Sequence, residues 1–306
     1  MDFTRLFDIL DYQQERFPQT VALAGRESSA WRKWSTTELI AERDHLSAGL
    51  LAQGLQPGDR IGLLTHCGSP KWIVADAAML QLGMVPVPVH ATARPDEIAY
   101  IFRDAGLRAF FVSNADMLAK LRQAGVAPEH LFSYDPLPDT LHWDTLCRQP
   151  DAEQAEQIRR ARNAVSDADL ATLLYTSGTT GAPKGVMLSH ANIVSNVKSV
   201  LAIVPVGPEV AAVSFLPLSH IFERMVTYVY IQSGLAIYYA ESMDTIGLNL
   251  KEVKPMVFTT VPRLLEKVYE RIMNTAMELK GAKRILFFWA LDLGKRFDNA
   301  RPGNPW

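Results

Sequence analysis

The chain has 306 residues, of which 48% are hydrophobic and 21% charged, a composition typical of a globular protein and unlike that of disordered, collagen-like or disulfide-rich chains. Its 31 basic and 33 acidic residues give a formal net charge of -2, so the bulk charge argues against a nucleic-acid partner. Cys67 and Cys147 are the two cysteines, and their wide spacing fits a reducing compartment without a zinc site. We therefore expect a cytoplasmic protein.

The sequence also argues against a secretory signal and a membrane-spanning helix. Residues 1–5 open with an acid instead of the basic start of a signal peptide. No segment reaches the roughly 18 consecutive apolar residues that a spanning helix requires.

Short apolar runs alternate with helical patterns along nearly the whole chain. Apolar residues at three- and four-residue spacing predict helices over 36–53, capped by Ser35 and Glu38, and over 262–280, which Pro262 begins. The apolar runs predict buried strands over 60–65, 85–89, 108–113, 171–175, 210–216, 234–239 and 256–260. This alternation predicts an α/β fold with stacked, mostly parallel sheets that helices flank on both faces.

A polar, alanine-rich stretch over 151–169 predicts a solvated helix. Its three arginines could instead form a docking patch, although charged runs more often mark a solvated face. We expect this helix to join a first α/β lobe, residues 1–165, to a second lobe, residues 166–306.

The most informative segment follows the apolar run 171–175. Residues 176–185 contain four hydroxyl side chains, three glycines and Lys184. Glycines let backbone N–H groups turn toward an anion, hydroxyls add donors or metal ligands, and lysine supplies a compact positive charge. The segment therefore predicts a polyphosphate-binding loop, although its spacing matches neither a P-loop nor a dinucleotide-binding motif. A flexible surface loop rich in small residues is the alternative.

Residues 175–185, Tyr-Thr-Ser-Gly-Thr-Thr-Gly-Ala-Pro-Lys-Gly, resemble the signature of the adenylate-forming, or AMP-binding, superfamily. The similarity continues through residues 186–193 and includes an early Gly-Asp-Arg-Ile over 58–61. The resemblance implies a ligase that acts in two steps. A carboxylate attacks the α-phosphate of ATP to give an acyl-adenylate and pyrophosphate, and a thiol, usually coenzyme A, then displaces AMP.

The resemblance also implies roles for the loop residues. They would hold the β- and γ-phosphates of ATP, with the hydroxyl of Thr180 near Mg²⁺. Thr179 and Lys184 are expected to act in catalysis. The full set of nucleotide-binding residues implied is Thr176, Ser177, Gly178, Thr179, Thr180, Gly181 and Lys184.

A second motif, Phe-Leu-Pro-Leu-Ser-His-Ile-Phe-Glu-Arg, covers residues 215–224. A strand that ends at Pro217 and a helix that begins near Ser219 would place His220 in the first helical turn, at the carboxyl edge of the sheet. A histidine that packs a helix start is the alternative, and the spacing of His220 and Glu223 lacks a third metal ligand. The resemblance implies that His220 lies beside the substrate carboxylate and takes part in catalysis.

The resemblance assigns further residues to the acyl site. The wall of the acyl pocket would comprise Ile221, Phe222, Met225 and Tyr228. Val261 and Pro262 would be substrate neighbours, although a simple strand-to-helix turn explains them equally well.

The second motif and the helices over 262–280 and 283–291 most resemble the long-chain fatty acyl-CoA synthetases. Fatty acid, ATP and coenzyme A are therefore the expected partners, with Mg²⁺ as the metal. The helix over 283–291 is apolar and bracketed by basic residues, so one interpretation is peripheral contact with the inner face of a membrane. A buried packing helix is the favoured interpretation.

The later motifs of that family do not occur in these 306 residues. The sequence has no Tyr-Gly-x-Ser/Thr-Glu for adenine and magnesium, no Thr-Gly-Asp for ribose, and no small C-terminal domain with its lysine. We therefore expect the front part of a longer ligase, with an incomplete second lobe. A non-catalytic module that binds a nucleotide or an acyl group, and a fragment that acts through protein contacts, are the alternatives.

Overall fold

The computed structural model describes residues 3–27, 30–176, 183–203 and 207–296. In chain order the strands are β1 (Leu23–Glu27), β2 (Ala30–Trp34), β3 (Arg60–Leu64), β4 (Val85–Val89), β5 (Ala109–Val112), β6 (His130–Ser133), β7 (Leu141–His142), β8 (Leu170–Thr176), β9 (Lys184–Ser189), β10 (Ala211–Ser214), β11 (Ala236–Tyr239) and β12 (Val257–Phe258). The helices are α1 (Asp8–Arg16), α2 (Thr36–Ala52), α3 (Pro70–Gln81), α4 (Pro95–Ala105), α5 (Ala115–Gln123), α6 (Trp143–Leu146), α7 (Ala152–Ala164), α8 (His190–Leu201), α9 (Ile221–Gln232), α10 (Ile246–Val253), α11 (Pro262–Glu278) and α12 (Ala282–Arg296).

The described strands form two five-stranded sheets and one hairpin. The first sheet has the order β12-β10-β11-β1-β2 and is parallel except for the antiparallel pair β1–β2. The second, β4-β3-β5-β6-β7, is parallel throughout. Strands β8 and β9 pair antiparallel. The expected α/β fold with mostly parallel sheets is confirmed.

Local sequence signals placed several elements correctly. Helix α2 begins after Ser35, whose hydroxyl accepts from the Glu38 N–H while the Glu38 carboxylate accepts from the Ser35 N–H, as a capping box requires. The sequence pattern missed β1 and β2. Strand β1 has only a short buried part before Arg26 and Glu27, and β2 is mostly exposed and has no buried apolar run. Its place depends on pairing with β1, whose other neighbour β11 is more than 200 residues away.

The chain forms two compact units, residues 1–259 and 260–306. The two sheets and the β8–β9 hairpin belong to the first unit, and the helices of the described part of the second unit are α11 and α12. The expected lobe boundary after residue 165 stays a prediction. The favoured interpretation of α12 as a buried helix is wrong: Ile285, Leu286 and Trp289 are 74%, 63% and 61% exposed.

A buried ion pair joins α3 to α9 inside the first unit. The carboxylate of Asp76 on α3 accepts from Arg224 on α9, with distances of 2.6 Å from Nη2 to Oδ1 and 3.2 Å from Nε to Oδ2. The two side chains are 1% and 0% exposed. The hydroxyl of Tyr228 donates to the same carboxylate, and the Arg224 guanidinium lies 5.5 Å from the ring centroid of Trp72. The Tyr228 hydroxyl and the aromatic face of Trp72 offset part of the cost of burying both charges.

A second buried acid, Glu223, lies in the first turn of α9. Its Oε1 accepts from the hydroxyl of Ser214 at the end of β10, at 2.5 Å. Oε2 has no hydrogen-bond partner among the described residues. Burial raises the pKa of the Glu223 carboxyl to about 7, and the bond from Ser214 opposes that shift. The folded protein therefore retains the proton of Glu223 at pH values where an unfolded chain has released it.

Removing one partner of the buried ion pair should destabilise the fold strongly. We expect Arg224→Met to lower the free energy of unfolding by about 3–5 kcal/mol, because Asp76 is left buried without its charged partner. Adding Asp76→Leu should restore much of this loss, since two apolar side chains need no partner. Urea unfolding of both variants measures the difference.

The matched control for this prediction is Arg94→Gln. Arg94 and Asp96 also form an ion pair, but both side chains are 69% exposed. The control should therefore change the free energy of unfolding by no more than about 0.5 kcal/mol. An equal loss in Arg224→Met and in the double variant would contradict the prediction.

Glu223 should make stability fall as the pH rises. The unfolded state ionises near pH 4.5 and the folded state near pH 7, so the cost of the raised pKa develops between these values and is complete above them. We expect Glu223→Gln, which keeps an oxygen acceptor for Ser214, to be more stable than wild type by up to about 3 kcal/mol at pH 8. At pH 4 the two proteins should be alike.

Thermal unfolding of wild type and Glu223→Gln across pH 4 to 8 measures this dependence. Glu153→Gln is the control, because Glu153 is an exposed residue of α7 and its replacement should leave the pH profile unchanged. A Glu223→Gln variant with the same pH profile as wild type would show that burial of this carboxyl has no such cost.

Candidate functional site

A cavity of about 440 Å³ lies where three pairs of elements meet in the first unit. One wall comes from the end of β4 and the start of α4, with His90, Thr92 and Glu97. A second wall comes from the residues that flank the predicted phosphate loop, Thr176 at the end of β8 and Pro183 before β9. A third wall comes from the turn between β10 and α9. The cavity is thus lined mainly by strand ends and a helix start, as are the ligand sites of other parallel α/β proteins.

The predicted phosphate loop connects β8 to β9. Thr176 and Lys184 are directly opposite each other at the end of this hairpin, and both are exposed. Thr176 and Pro183 line the cavity. The other residues assigned to the loop, Ser177, Gly178, Thr179, Thr180 and Gly181, lie outside the described residues.

Two side-chain hydrogen bonds hold β8 in place beside the second sheet. The hydroxyl of Thr172 donates to the carbonyl oxygen of Pro86 on β4, at 2.8 Å. The hydroxyl of Tyr175 donates to Asp104 on α4, at 2.5 Å. Thr172 lies in the first half of β8 and Tyr175 is its next-to-last residue, so the two bonds hold the strand that leads into the loop against β4 and α4.

The second motif places a histidine at the start of a helix. Strand β10 ends at Ser214 and α9 begins at Ile221, with His220 as its N-cap residue. The helix therefore begins slightly later than expected, and His220 precedes its first turn instead of lying in it. The Nδ1 atom of His220 accepts from the Phe222 N–H at 3.4 Å, as the side chain of an N-cap residue does. His220 is exposed and lines the cavity.

The residues expected to form an acyl pocket lie in different surroundings. Ile221 lines the cavity beside His220. Phe222 is 39% exposed and Met225 is half-buried. Tyr228 lies in the core, where its hydroxyl contacts the Asp76–Arg224 pair.

Val261 and Pro262 belong to the second compact unit. Pro262 is the first residue of α11, as predicted from its position in the sequence. Their expected role as substrate neighbours stays a prediction.

Sequence reasoning missed His90, which follows β4 directly. Its Nδ1 lies 2.8 Å from the hydroxyl of Ser219, 129 residues away in the chain. Its ring centroid is 6.2 Å from that of His220. Burial, and then the nearby His220, lower the pKa of His90, so its ring is neutral at neutral pH. The available signal was a histidine directly after a predicted strand, at the edge where ligands bind.

A dedicated metal site is not evident in the part of the chain that the structure describes. No group of three or more histidine, cysteine, aspartate or glutamate side chains there could hold a metal ion. Thr180, the expected metal neighbour, lies outside that part. None of the described helices combines the length and apolar character that crossing a bilayer requires.

Known proteins match this chain over most of its length. Fatty acyl-CoA synthetase A of Dictyostelium discoideum is 30% identical over 276 residues, which cover 85% of this chain and 40% of that protein. The human long-chain-fatty-acid–CoA ligase ACSBG2 is 30% identical over 302 residues, covering 94% of this chain and 45% of the ligase. The chain therefore spans less than half the length of these two relatives.

Solved structures share the fold. A fatty acyl-CoA synthetase of Mycobacterium tuberculosis superposes with a TM-score of 0.67 at 20% identity, over 86% of this chain and 50% of that protein. Its likeness bears on the fold alone. The family described as AMP-binding enzyme matches residues 10–295, nearly the whole sequence, and the chain therefore belongs to that family.

Proposed function

We propose that this chain contributes the phosphate loop and part of the acyl site to the ATP-dependent activation of a long-chain fatty acid. The reaction would give an acyl-adenylate and pyrophosphate, then an acyl-CoA and AMP. The observation that carries the proposal is the shared cavity: Thr176 and Pro183, at the two bases of the loop, line it together with His220 and Ile221. Membership of the AMP-binding enzyme family supports ATP as the nucleotide.

The loop would act mainly through charge and position. Lys184 is exposed at one base of the hairpin, where its ammonium can approach the phosphates of ATP without first losing a buried partner. Thr176 is its cross-strand partner and supplies a hydroxyl donor. In-line attack on phosphorus builds negative charge on the phosphoryl and pyrophosphate oxygens, and fixed donors around them lower the barrier.

The second motif would orient the acid. His220 lies at the N-terminus of α9, where the helix dipole favours an anion. A carboxylate held there would lie in the same cavity as Thr176 and Pro183, which flank the phosphate loop. Its attack on the α-phosphate requires this proximity.

Mg²⁺ and coenzyme A complete the proposal. Mg²⁺ is held through few protein ligands and mostly through phosphates and water, so a single hydroxyl such as Thr180 is sufficient at its site. When bound, the ion would neutralise phosphate charge. Coenzyme A is proposed as the thiol because the curated relatives are CoA ligases by name.

Loss of the loop donors should slow adenylation. We expect Lys184→Ala and Thr179→Ala each to lower ATP–pyrophosphate exchange by about a hundredfold with a panel of fatty acids, since each removes a donor to charge that develops in the transition state. Lys251→Ala is the control, because Lys251 is an exposed lysine near the end of α10. Its exchange rate should equal that of wild type.

Two results would count against the proposal. Unchanged exchange in both loop variants would remove the assigned role of the loop. A wild-type chain that binds ATP or fatty acid without exchange would favour a non-catalytic binding module, and one that binds neither ligand would favour a protein-interaction role.

We also propose that the chain is cytoplasmic and contacts a membrane surface through α12. The exposed Ile285, Leu286 and Trp289 are flanked by basic residues at both ends of the helix. An exposed apolar surface beside positive charge is typical of helices that lie in the interface of an anionic bilayer.

Sedimentation with anionic phospholipid vesicles tests the membrane contact. At low salt we expect the chain to sediment with the vesicles, and Ile285→Ser/Trp289→Ser to remain in the supernatant because apolar insertion is lost. Met256→Ser is the control, since Met256 is 78% exposed in the other compact unit. Absence of wild-type binding at low salt would exclude the contact.

A further inference from the structure

His90 reaches the candidate site from an element that the two motifs do not include. It follows β4, the edge strand of the second sheet, whose prolines at 86 and 88 suit an edge position. The bond from Thr172 to Pro86 ties this strand to β8. His90 therefore lines the same cavity as Thr176 of β8 and as Ser219 and His220, which precede α9.

The His90–Ser219 pair keeps one hydrogen-bond donor unused in either tautomer. If the Ser219 hydroxyl donates to Nδ1 of His90, the ring proton is on Nε2 and is available to another partner. If Nδ1–H donates to Ser219, the hydroxyl proton is available instead. The 2.8 Å contact to Ser219 is the one hydrogen bond of the His90 ring among the described residues, so the spare donor is not consumed within them.

His220 supplies a second donor with a defined position. Its Nδ1 accepts from the Phe222 N–H, so the proton of a neutral ring is on Nε2. The two imidazoles are not hydrogen-bonded to each other, and their centroids are 6.2 Å apart. The His90–Ser219 pair and His220 therefore each retain one donor, and all three residues line one cavity at the N-terminus of a twelve-residue helix, which favours a small anion.

The nearby acid does not cancel this preference. Glu97 is the acidic residue among those that line the cavity. Its Oε2 accepts from the Arg94 N–H at 2.8 Å, and its Oε1 lies 3.6 Å from the Arg94 guanidinium. The carboxylate of Glu97 is therefore already paired at the start of α4.

We propose that His90, together with Ser219 and His220, binds the carboxylate head of the acyl substrate. This inference rests on the proposed function and adds a carboxylate-binding residue from outside its two motifs. The apolar walls of the same cavity, which include Ile101, Leu174 and Ile221, suit the first methylene groups next to that head.

The test compares ligands that differ only in the head group. Affinities of the purified chain for a fatty acid and for the alcohol of equal chain length give its carboxylate preference. We expect His90→Ala to weaken binding of the acid about tenfold or more, as for a lost hydrogen bond to a charged group. Binding of the alcohol should change by less than about twofold, since it depends on the apolar walls.

Two further variants distinguish a direct contact between His90 and the carboxylate from a structural effect of replacing His90. His90→Gln keeps an acceptor and a donor at this position and should retain most of the carboxylate preference. His66→Gln is the matched control, because His66 also follows the end of a strand of this sheet, β3, but lines a different cavity. Its preference should equal that of wild type.

The outcomes distinguish the inference from the proposed function. If wild type prefers the acid and His90→Ala keeps that preference, the role of His90 is excluded while the proposed function stands. If His90→Ala weakens acid and alcohol equally, its role is structural. If wild type binds neither ligand, the acyl site itself is contradicted, and the inference with it.

Discussion

The buried Asp76–Arg224 pair is the contact on which the position of the candidate site depends. Arg224 lies one turn after His220, and its N–H donates to the His220 carbonyl oxygen at 3.2 Å. A shift of α9 along α3 would separate two charges that water cannot reach, at a cost of several kcal/mol. The N-terminus of α9 is therefore fixed by a bond inside the core, although His220 itself is exposed.

Strand β8 is fixed by a different means. The hydroxyl of Thr172 donates to the Pro86 carbonyl oxygen in the interior, and the hydroxyl of Tyr175 donates to the partly buried Asp104 carboxylate. The neutral bond contributes about 1 kcal/mol and the bond to the carboxylate about 1.5–3 kcal/mol, less than the cost of breaking the buried ion pair. The ion pair therefore resists a shift of α9 more strongly than these two bonds resist a shift of β8.

Sequence reasoning predicted what local patterns determine. The buried strands β3, β4, β5 and β8 are short apolar runs, and the cap of α2 needs only Ser35 and Glu38. It missed β2, which is stabilised by pairing instead of by its own burial. It also missed His90, whose partner Ser219 is 129 residues away. A motif contains residues that are consecutive in the chain, whereas a cavity brings together residues that are distant in the chain. The polar loop motif was evident because all of its residues are consecutive.

The arrangement of groups around the cavity fits the different charges of the two proposed substrates. A triphosphate carries several negative charges, which are costly to remove from water, and Lys184 and Thr176 at the hairpin are exposed. A carboxylate carries one charge, which neutral donors can satisfy with less desolvation. The half-buried His90, its buried partner Ser219 and the N-terminus of α9 provide such donors. The lowered pKa of His90 keeps its ring neutral, so the proposed contact with the carboxylate is a hydrogen bond from a neutral donor to a charged acceptor.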